Sequence, residues 1–514
     1  MGFFSQMLSN NRRKSSIPAN VNRTAPIYKK VAASLQENMT YVTEALYKTS
    51  DLVTRPVHCE PEQGCLLYLN SVCDTTKIHE EILKPLLGSQ EKANIDQVLT
   101  AAILKKQTNL ETAIDLMIKG YVLLFLEGRE ECLAIQASSI NNRSASEPAN
   151  EKAIQGAHDG FIESMLINLQ LVRKQINSRN LVVRHYTLGK MTKTELSIVY
   201  LNDLVNPELV EEIERRILAI NADNVSSGYL MLEYLEDQSF SPFPQILQTE
   251  RPDRVVNNLL EGRVALLSEG TPATLIMPVT FFAFYQSPDD YNSRSLAGTF
   301  LRLLRLFSFF IAILLPAYYI AVVSFHYEVI PMELFYQIKG SVEKIPYPPI
   351  LEALFMELTI ELLREAGMRL PAPIGQSIGI VGGLVIGDAV VRVGMVSYPM
   401  IIVVSLTAIA SFVVPSHEMS YSVRLLRFPV MIAASLFGFL GIVFSFVVIL
   451  IHLCKLEPFG TPYFAPLAPM RFKDWKDAIV RLPFWKLNER PLDPHPQKLN
   501  QERGVKEEGN DDRG

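Results

Sequence analysis

The spacing of apolar and polar positions changes character once along this chain. Up to about Arg302, short apolar runs alternate with charges. Beyond it lie three stretches without an Asp, Glu, Lys or Arg: Leu306–Phe325, Val393–Ser416 and Phe428–Ile451. Each is at least as long as the ~20 apolar residues that span the hydrocarbon core of a bilayer. The pattern predicts a transmembrane domain over 296–457 and excludes a wholly soluble chain. The first span, about 303–325, follows Arg302 and Arg305, which mark a cytosolic start. Pro316 within it is the expected hinge, because proline frees a helix carbonyl that must find a partner inside protein. The stretches 375–397 and 399–414 are separated only by Ser397-Tyr398-Pro399, which predicts a tight hairpin or one broken span. The last span is expected at 428–452, ahead of a basic tail carrying Arg471, Lys473, Lys476, Arg481 and Lys486. With both ends on the cytosolic side the number of crossings is even, and four are expected.

The upstream part reads as α/β. A flexible basic arm covers 1–34, open to two readings, a solvated tail or a contact with anionic headgroups. A first α/β subdomain follows over 35–150, with a buried strand at Gly64–Leu69, a helix at Ile95–Lys105 and a hairpin of Gly120–Glu127 with Cys132–Ile135. A linker at Asn141–Ala157 leads into an amphipathic helix at Phe161–Ile176, with 151–180 as the connecting segment. The second α/β subdomain, 181–295, has strands at Leu181–Thr187 and Leu196–Leu201 and a hairpin of Arg263–Leu267 with Ala273–Pro278. Its helix begins at Asn206-Pro207-Glu208, where cap, proline and acid agree on an N-terminus. The two subdomains are similar in order and size, without a fixed-period repeat. The tail occupies 458–514.

Composition narrows the function classes. The chain has 514 residues, 48% hydrophobic and 20% charged, with a formal charge of −5. That balance speaks against nucleic-acid binding. Five cysteines without C-x-x-C read as free thiols in a reducing compartment; a zinc site from His58, Cys59 and Cys65 is the alternative, at a spacing that fits no usual ligand pattern. No apolar secretion signal precedes residue 36, and Gln6 stands where a myristoylation motif wants Ser or Thr. Gly189-Lys190-Met191-Thr192 imitates the end of a phosphate loop, but Arg184 replaces its glycine. His58, His79, His158 and His185 stand apart from one another. No catalytic residue, cofactor or metal site is expected, and the chain reads as a non-enzyme.

The membrane half carries better candidates. Gly379, Gly383 and Gly387, four apart, fall within about 80° of one helix face at ~100° per residue, a helix-packing stripe. Opposite lie Val381, Leu384, Val385, Asp388 and Arg392, with Asp388 and Arg392 spaced to pair. An aliphatic ring followed by charges suits a pore-lining helix; an interior bundle helix with a structural ion pair is the other reading. In the helix Ile350–Gly367, Glu357, Glu361 and Arg364 share one side, as an interfacial helix or as an acidic vestibule that concentrates cations. Pro415-Ser416-His417-Glu418 reads as a turn.

Three sets of residues resemble one family. Thr192–Tyr200 continuing through Asn206–Val210 is the first. The second joins Pro242–Gln245, Thr249–Arg254, Glu261-Gly262-Arg263 and Ser287–Tyr291. The third is Arg369–Gly375 through Ile378–Gly387. Together they resemble the A subunit of GerA-type bacterial spore germinant receptors over about 155–470, departing from the family's Arg-Gly-Pro lead-in at Gly156–Phe161. The resemblance implies two thioredoxin-like cytosolic subdomains and a multi-pass subunit of the spore inner membrane. It also implies a homo-oligomer, a pentamer, acting as a nutrient-gated cation channel. The implied partners are a transporter-like B subunit that binds the nutrient and a C-subunit lipoprotein. A non-conducting scaffold that relays the signal is the alternative.

Overall fold

The computed structural model describes residues 29–59, 62–88, 99, 103–139, 147–148, 150–151, 155–225, 228–371 and 389–501. It divides into two compact units, Met1–Ala45 with Leu52–Ser139, and Leu46–Asp51 with Ile140–Gly514. In the first, helix α1 (Leu35–Ala45) precedes the hairpin β1 (Leu52–Cys59) and β2 (Glu62–Leu69). The helical segments Thr75–Lys77, Ile78–Leu83 and Lys84–Gly88 come next. The unit ends with β3 (Leu104–Gln107), α2 (Leu110–Ile118), β4 (Tyr121–Leu126) and β5 (Cys132–Gln136). The strands form a sheet in the order β1-β2-β4-β5-β3. The uninterrupted apolar run of β4 is buried along its whole length, as a central strand covered on both faces requires.

The second unit repeats this plan. Helix α3 (Met165–Gln175) precedes β6 (Leu181–Leu188) and β7 (Thr194–Leu201). Helices α4 (Pro207–Ala219) and α5 (Gly228–Leu235) lead to β8 (Leu247–Thr249), α6 (Pro252–Leu260), β9 (Val264–Ser268) and β10 (Thr274–Met277). The sheet order β6-β7-β9-β10-β8 is the order of the first sheet. The correspondence reaches single hydrogen bonds. The Asn38 side chain accepts from Ala32 N at 2.9 Å and donates to Ala32 O at 2.7 Å; Asn168 does the same with Ile162 at 2.9 and 2.6 Å. Gly128 N donates to Ala33 O, and Gly270 N to Glu163 O, both at 2.8 Å. Glu127 accepts from Leu35 N and Glu269 from Met165 N, both at 2.9 Å. The two units therefore contain copies of one α/β fold.

Two expectations are corrected here. Leu104 and Lys105 belong to strand β3, not to a helix over 95–105, most of which lies outside the described residues. The thioredoxin-like assignment also fails. Such a fold is built on a parallel βαβ unit, whereas every pairing among the described strands is antiparallel, because both hairpins close tightly and the intervening strand returns to the sheet edge.

Downstream of the second sheet the chain is helical: α7 (Ser295–Phe325), α8 (Met332–Val342), α9 (Pro349–Arg369), α10 (Tyr398–Phe412), α11 (His417–Phe437) and α12 (Phe439–Lys455). Among the described residues only α7 is long and apolar enough to cross a membrane by length and composition; α10 and α12 are apolar but shorter. Pro316 is buried within α7, which continues through it. The single last span expected at 428–452 is divided. Gly438 adopts φ 57° and ψ −135°, backbone open to glycine alone, and separates α11 from α12. The two then pack together, and a Cβ at Gly441 would collide with the Ala433 carbonyl oxygen, so only glycine allows the approach.

The second sheet and the helices share one apolar core. Val183, Val199, Leu267 and Ile276 on the sheet continue through Phe281, Phe282, Phe284 and Tyr285 to Phe309, Met400, Val423 and Met431. The Phe281 ring meets those of Phe309 and Phe464 edge-on, each 5.5 Å away. At the base of α7, Arg305 pairs with fully buried Asp290 at 2.7 Å, with Arg302 at 3.4 Å from the same carboxylate. The described part of the tail is laid along the second unit, with Tyr463 donating to Pro244 O at 2.6 Å and Arg490 to Leu260 O at 2.7 Å.

Candidate functional site

Of the residues expected to line a pore, Val381, Leu384, Val385 and Asp388 lie outside the described residues, as do the packing glycines Gly379, Gly383 and Gly387. Arg392 is described and exposed, at the end of a helical turn over 389–392. Glu357, Glu361 and Arg364 do share one side of α9. That side faces α11, which brings Arg424 and Arg427 against them.

The result is a buried ion-pair network. Glu357 and Arg427 are both fully buried, and the Arg427 guanidinium donates to the Glu357 carboxylate and, at 2.9 Å, to Glu361 Oε1. Arg424 donates to Glu361 Oε2 at 2.5 Å. Arg364 lies 3.6 Å from Glu361 and donates to Ser411 Oγ on α10 at 3.0 Å. Flat faces of the guanidiniums are covered by aromatic rings, Arg364 over Phe412 and Arg424 over Tyr421, each at 4.2 Å. Three cations thus meet two anions, so the acids face cations rather than open solvent. Glu357 Oε1 and Arg364 Nε are buried and have no hydrogen-bond partner among the described residues.

Burying such groups is costly, and removing one member of a buried pair costs about 3–5 kcal/mol because the other is left uncompensated. The network therefore ties α9, α10 and α11 to one arrangement as long as all five charges are present. A second buried polar contact lies further along the same helices. Glu352 accepts from Ser397 N at 2.9 Å, placing a carboxylate at the N-terminus of α10, where the helix dipole favours it. The Tyr319 hydroxyl of α7 reaches Ser397 Oγ at 3.2 Å.

Helix α11 also carries the contact to the α/β unit. Ser422 donates to Pro242 O and Gln248 to Glu418, while His452 near the end of α12 meets Ser241 Oγ at 2.9 Å. Ser416 caps α11, so the expected turn at 415–418 becomes a helix start. The sequence reading missed Arg424 and Arg427 by placing them outside the apolar window that begins at Phe428. Their spacing of three, complementary to the four of Glu357 and Glu361, was the available signal. No group of metal-ligating side chains occurs among the described residues.

The profile of the Bacillus/Clostridium GerA spore germination protein family matches residues 40–492. The chain is 36% identical to spore germination protein KA of Bacillus subtilis, over 90% of this chain and 87% of that one. It is 37% identical to the uncharacterized membrane protein YfkQ of the same organism, over 91% and 92%. With spore germination protein GerLA of Bacillus cereus the identity is 35%, over 89% and 95%. A crystal structure of the N-terminal domain of the A subunit of the Bacillus megaterium spore germinant receptor GerK3 is similar at 26% identity and a TM-score of 0.39, covering 49% of this chain and 98% of that one.

Proposed function

The chain belongs to the Bacillus/Clostridium GerA spore germination protein family, and on that premise we propose that it is the A-type subunit of a germinant receptor, a non-enzymatic component of a nutrient-gated cation channel. Its helices cross the spore inner membrane several times with both termini on the cytosolic side. Copies assemble into a ring, a pentamer, alongside a transporter-like B subunit that binds the nutrient and a C-subunit lipoprotein.

The observation that carries this reading is the network of Glu357, Glu361, Arg364, Arg424 and Arg427. Ionisable residues buried inside a membrane domain face protein or water, and they mark functional paths by default. Helix α11 is bonded to the α/β unit at Pro242 and Gln248. Through Arg424 and Arg427 it holds α9, and α9 runs in sequence directly into the segment bearing Val381, Leu384, Val385 and Asp388. A movement of the α/β unit is thereby passed to the segment assigned to the pore, whose candidates include Arg392 and whose glycines Gly379, Gly383 and Gly387 are the packing stripe read from the sequence. The alternative, a non-conducting scaffold that relays the signal, draws on the continuous core between sheet and helices.

Bilayer recordings of the purified chain with its B and C partners separate the two. Conductance that rises with nutrient, leaks in Val385→Ala and disappears with assembly in Gly383→Leu supports the channel. Silence in every form, with assembly intact, overturns it in favour of the scaffold.

A further inference from the structure

We infer that the loop joining α5 to β8 inserts Phe240 into the acyl-chain edge of the bilayer leaflet on the α/β side, so that the second α/β unit is held to the lipid surface directly as well as through its helices. The inference rests on the membrane reading of the helical region. Phe240 is the most exposed large apolar side chain of the described residues, at 104% of its reference area. Its neighbours are fixed on both sides. Ser239 Oγ donates to Glu233 O of α5 at 3.2 Å, and Ser241 Oγ meets His452 in the last turn of α12 at 2.9 Å. Consecutive Cα atoms are about 3.8 Å apart, so Phe240 sits beside the end of that apolar helix. Pro242, two residues on, receives a hydrogen bond from Ser422 of α11.

The same level of the helices is already apolar and uncovered. Ile451, which precedes His452, is 61% exposed, and Leu425, three residues beyond Ser422, is 62% exposed. Phe240 extends this band onto the α/β unit, and Tyr229 and Tyr234 of α5 are about half exposed. A lone surface phenylalanine needs no explanation. One tethered at the rim of exposed apolar helices, just beyond a helix with two half-exposed tyrosines, has the composition of an interfacial belt, where aromatic side chains sit at headgroup level. The occupant that continues the band is lipid.

The test uses the full chain with Trp475 and Trp485 replaced by Phe, reconstituted in phosphatidylcholine vesicles with ordinary or brominated acyl chains. Phe240→Trp is compared with Phe444→Trp on the exposed side of α12; elution as a single symmetric species confirms the fold of each. The expected result is a blue-shifted emission for Phe240→Trp and a loss in brominated lipid approaching that of Phe444→Trp. Emission that stays red-shifted, is quenched by aqueous iodide and ignores bromine, while Phe444→Trp is quenched, overturns the inference and leaves the membrane reading standing. A blue-shifted indole untouched by bromine overturns it too, since protein then covers the site. Failure of quenching at both positions removes the membrane reading and the inference together.

Discussion

The two copies of the α/β fold bury their sheets in the same way and differ in what lies beyond. In the first, Val57, Leu66, Leu124 and Ile135 pack with Ile78, Ile82 and Leu86 of the helical segments into one core. In the second, the equivalent cluster of Val182, Ile198 and Leu266 closes against α4 and α5. Its opposite face, lined by α3 and α6, continues into the helical region through Phe281, Phe282, Phe284 and Tyr285. Where the first copy leaves β5 through Ala137-Ser138-Ser139, the second leaves β10 into that aromatic run. A few bulky residues at one strand exit thus make the second copy a footing for apolar helices. The fold tolerates this because the hydrogen bonds that define it, at Asn38 or Asn168 and at Glu127 or Glu269, lie elsewhere.

The strongest way to break the comparison is to cut that footing. Phe281→Ala removes a ring buried among Phe282, Phe309 and Phe464 and is expected to cost about 3–5 kcal/mol. Scanning calorimetry in detergent should then show the second sheet and the helices melting separately, with the first copy unmoved; a single unshifted transition would contradict the shared core. Arg427→Ala acts within the helices and is expected to cost about 3–5 kcal/mol by stranding Glu357. The double change Arg427→Leu with Glu357→Leu should recover most of it, and a double variant as unstable as the single would argue against the pair.

Smaller effects sharpen the equivalence of the copies. Asn38→Ala and Asn168→Ala each delete a reciprocal pair of hydrogen bonds from a buried side chain. Each is expected to cost about 1–3 kcal/mol, read by hydrogen exchange at the helix that follows, and in its own unit alone. Unequal losses would mean that the shared geometry is not shared energetics.

The elements that the sequence disclosed are those whose signals are local. The run Gly64–Leu69, the hairpin around Gly128 and the cap at Asn206 all sit where apolar runs and turn residues place them. Strand β3 escaped because an edge strand reading Leu-Lys-Lys-Gln has no apolar alternation, lysine being what edges use against unwanted pairing. The duplication escaped because the spacing between matched residues drifts, from 130 at Asn38 and Asn168 to 142 at Gly128 and Gly270. Insertions between the strands erase any fixed period while leaving the hydrogen bonds intact. At the site, Glu357, Glu361 and Arg364 were legible as one face. Their partners lie some sixty residues on, about as far as Glu361 from Arg424, and only the packing of α9 on α11 joins them.

The smallest effect concerns a helix of the second copy. On α4, Glu212 is held down to about 2, chiefly by a hydrogen bond from Arg215; partial burial opposes this, and a hydrogen bond from Arg216 adds to the lowering. A carboxyl whose folded value lies below its unfolded one stabilises the fold fully above the unfolded value, near 4.5, and loses that contribution as pH falls toward 2. The carboxylate is partly exposed to solvent, so screening reduces the gain to roughly 0.2–1 kcal/mol. Glu212→Gln should therefore lower the melting temperature of the second unit slightly at pH 6, most in low salt, with the difference shrinking as pH falls through 2. Arg216 also donates to Asp237 at 2.6 Å and so ties α4 to the loop that carries Phe240. If the pH-dependent difference persists in high salt, the pair is shielded from solvent, and α4 is fastened to that loop more firmly than its exposure implies.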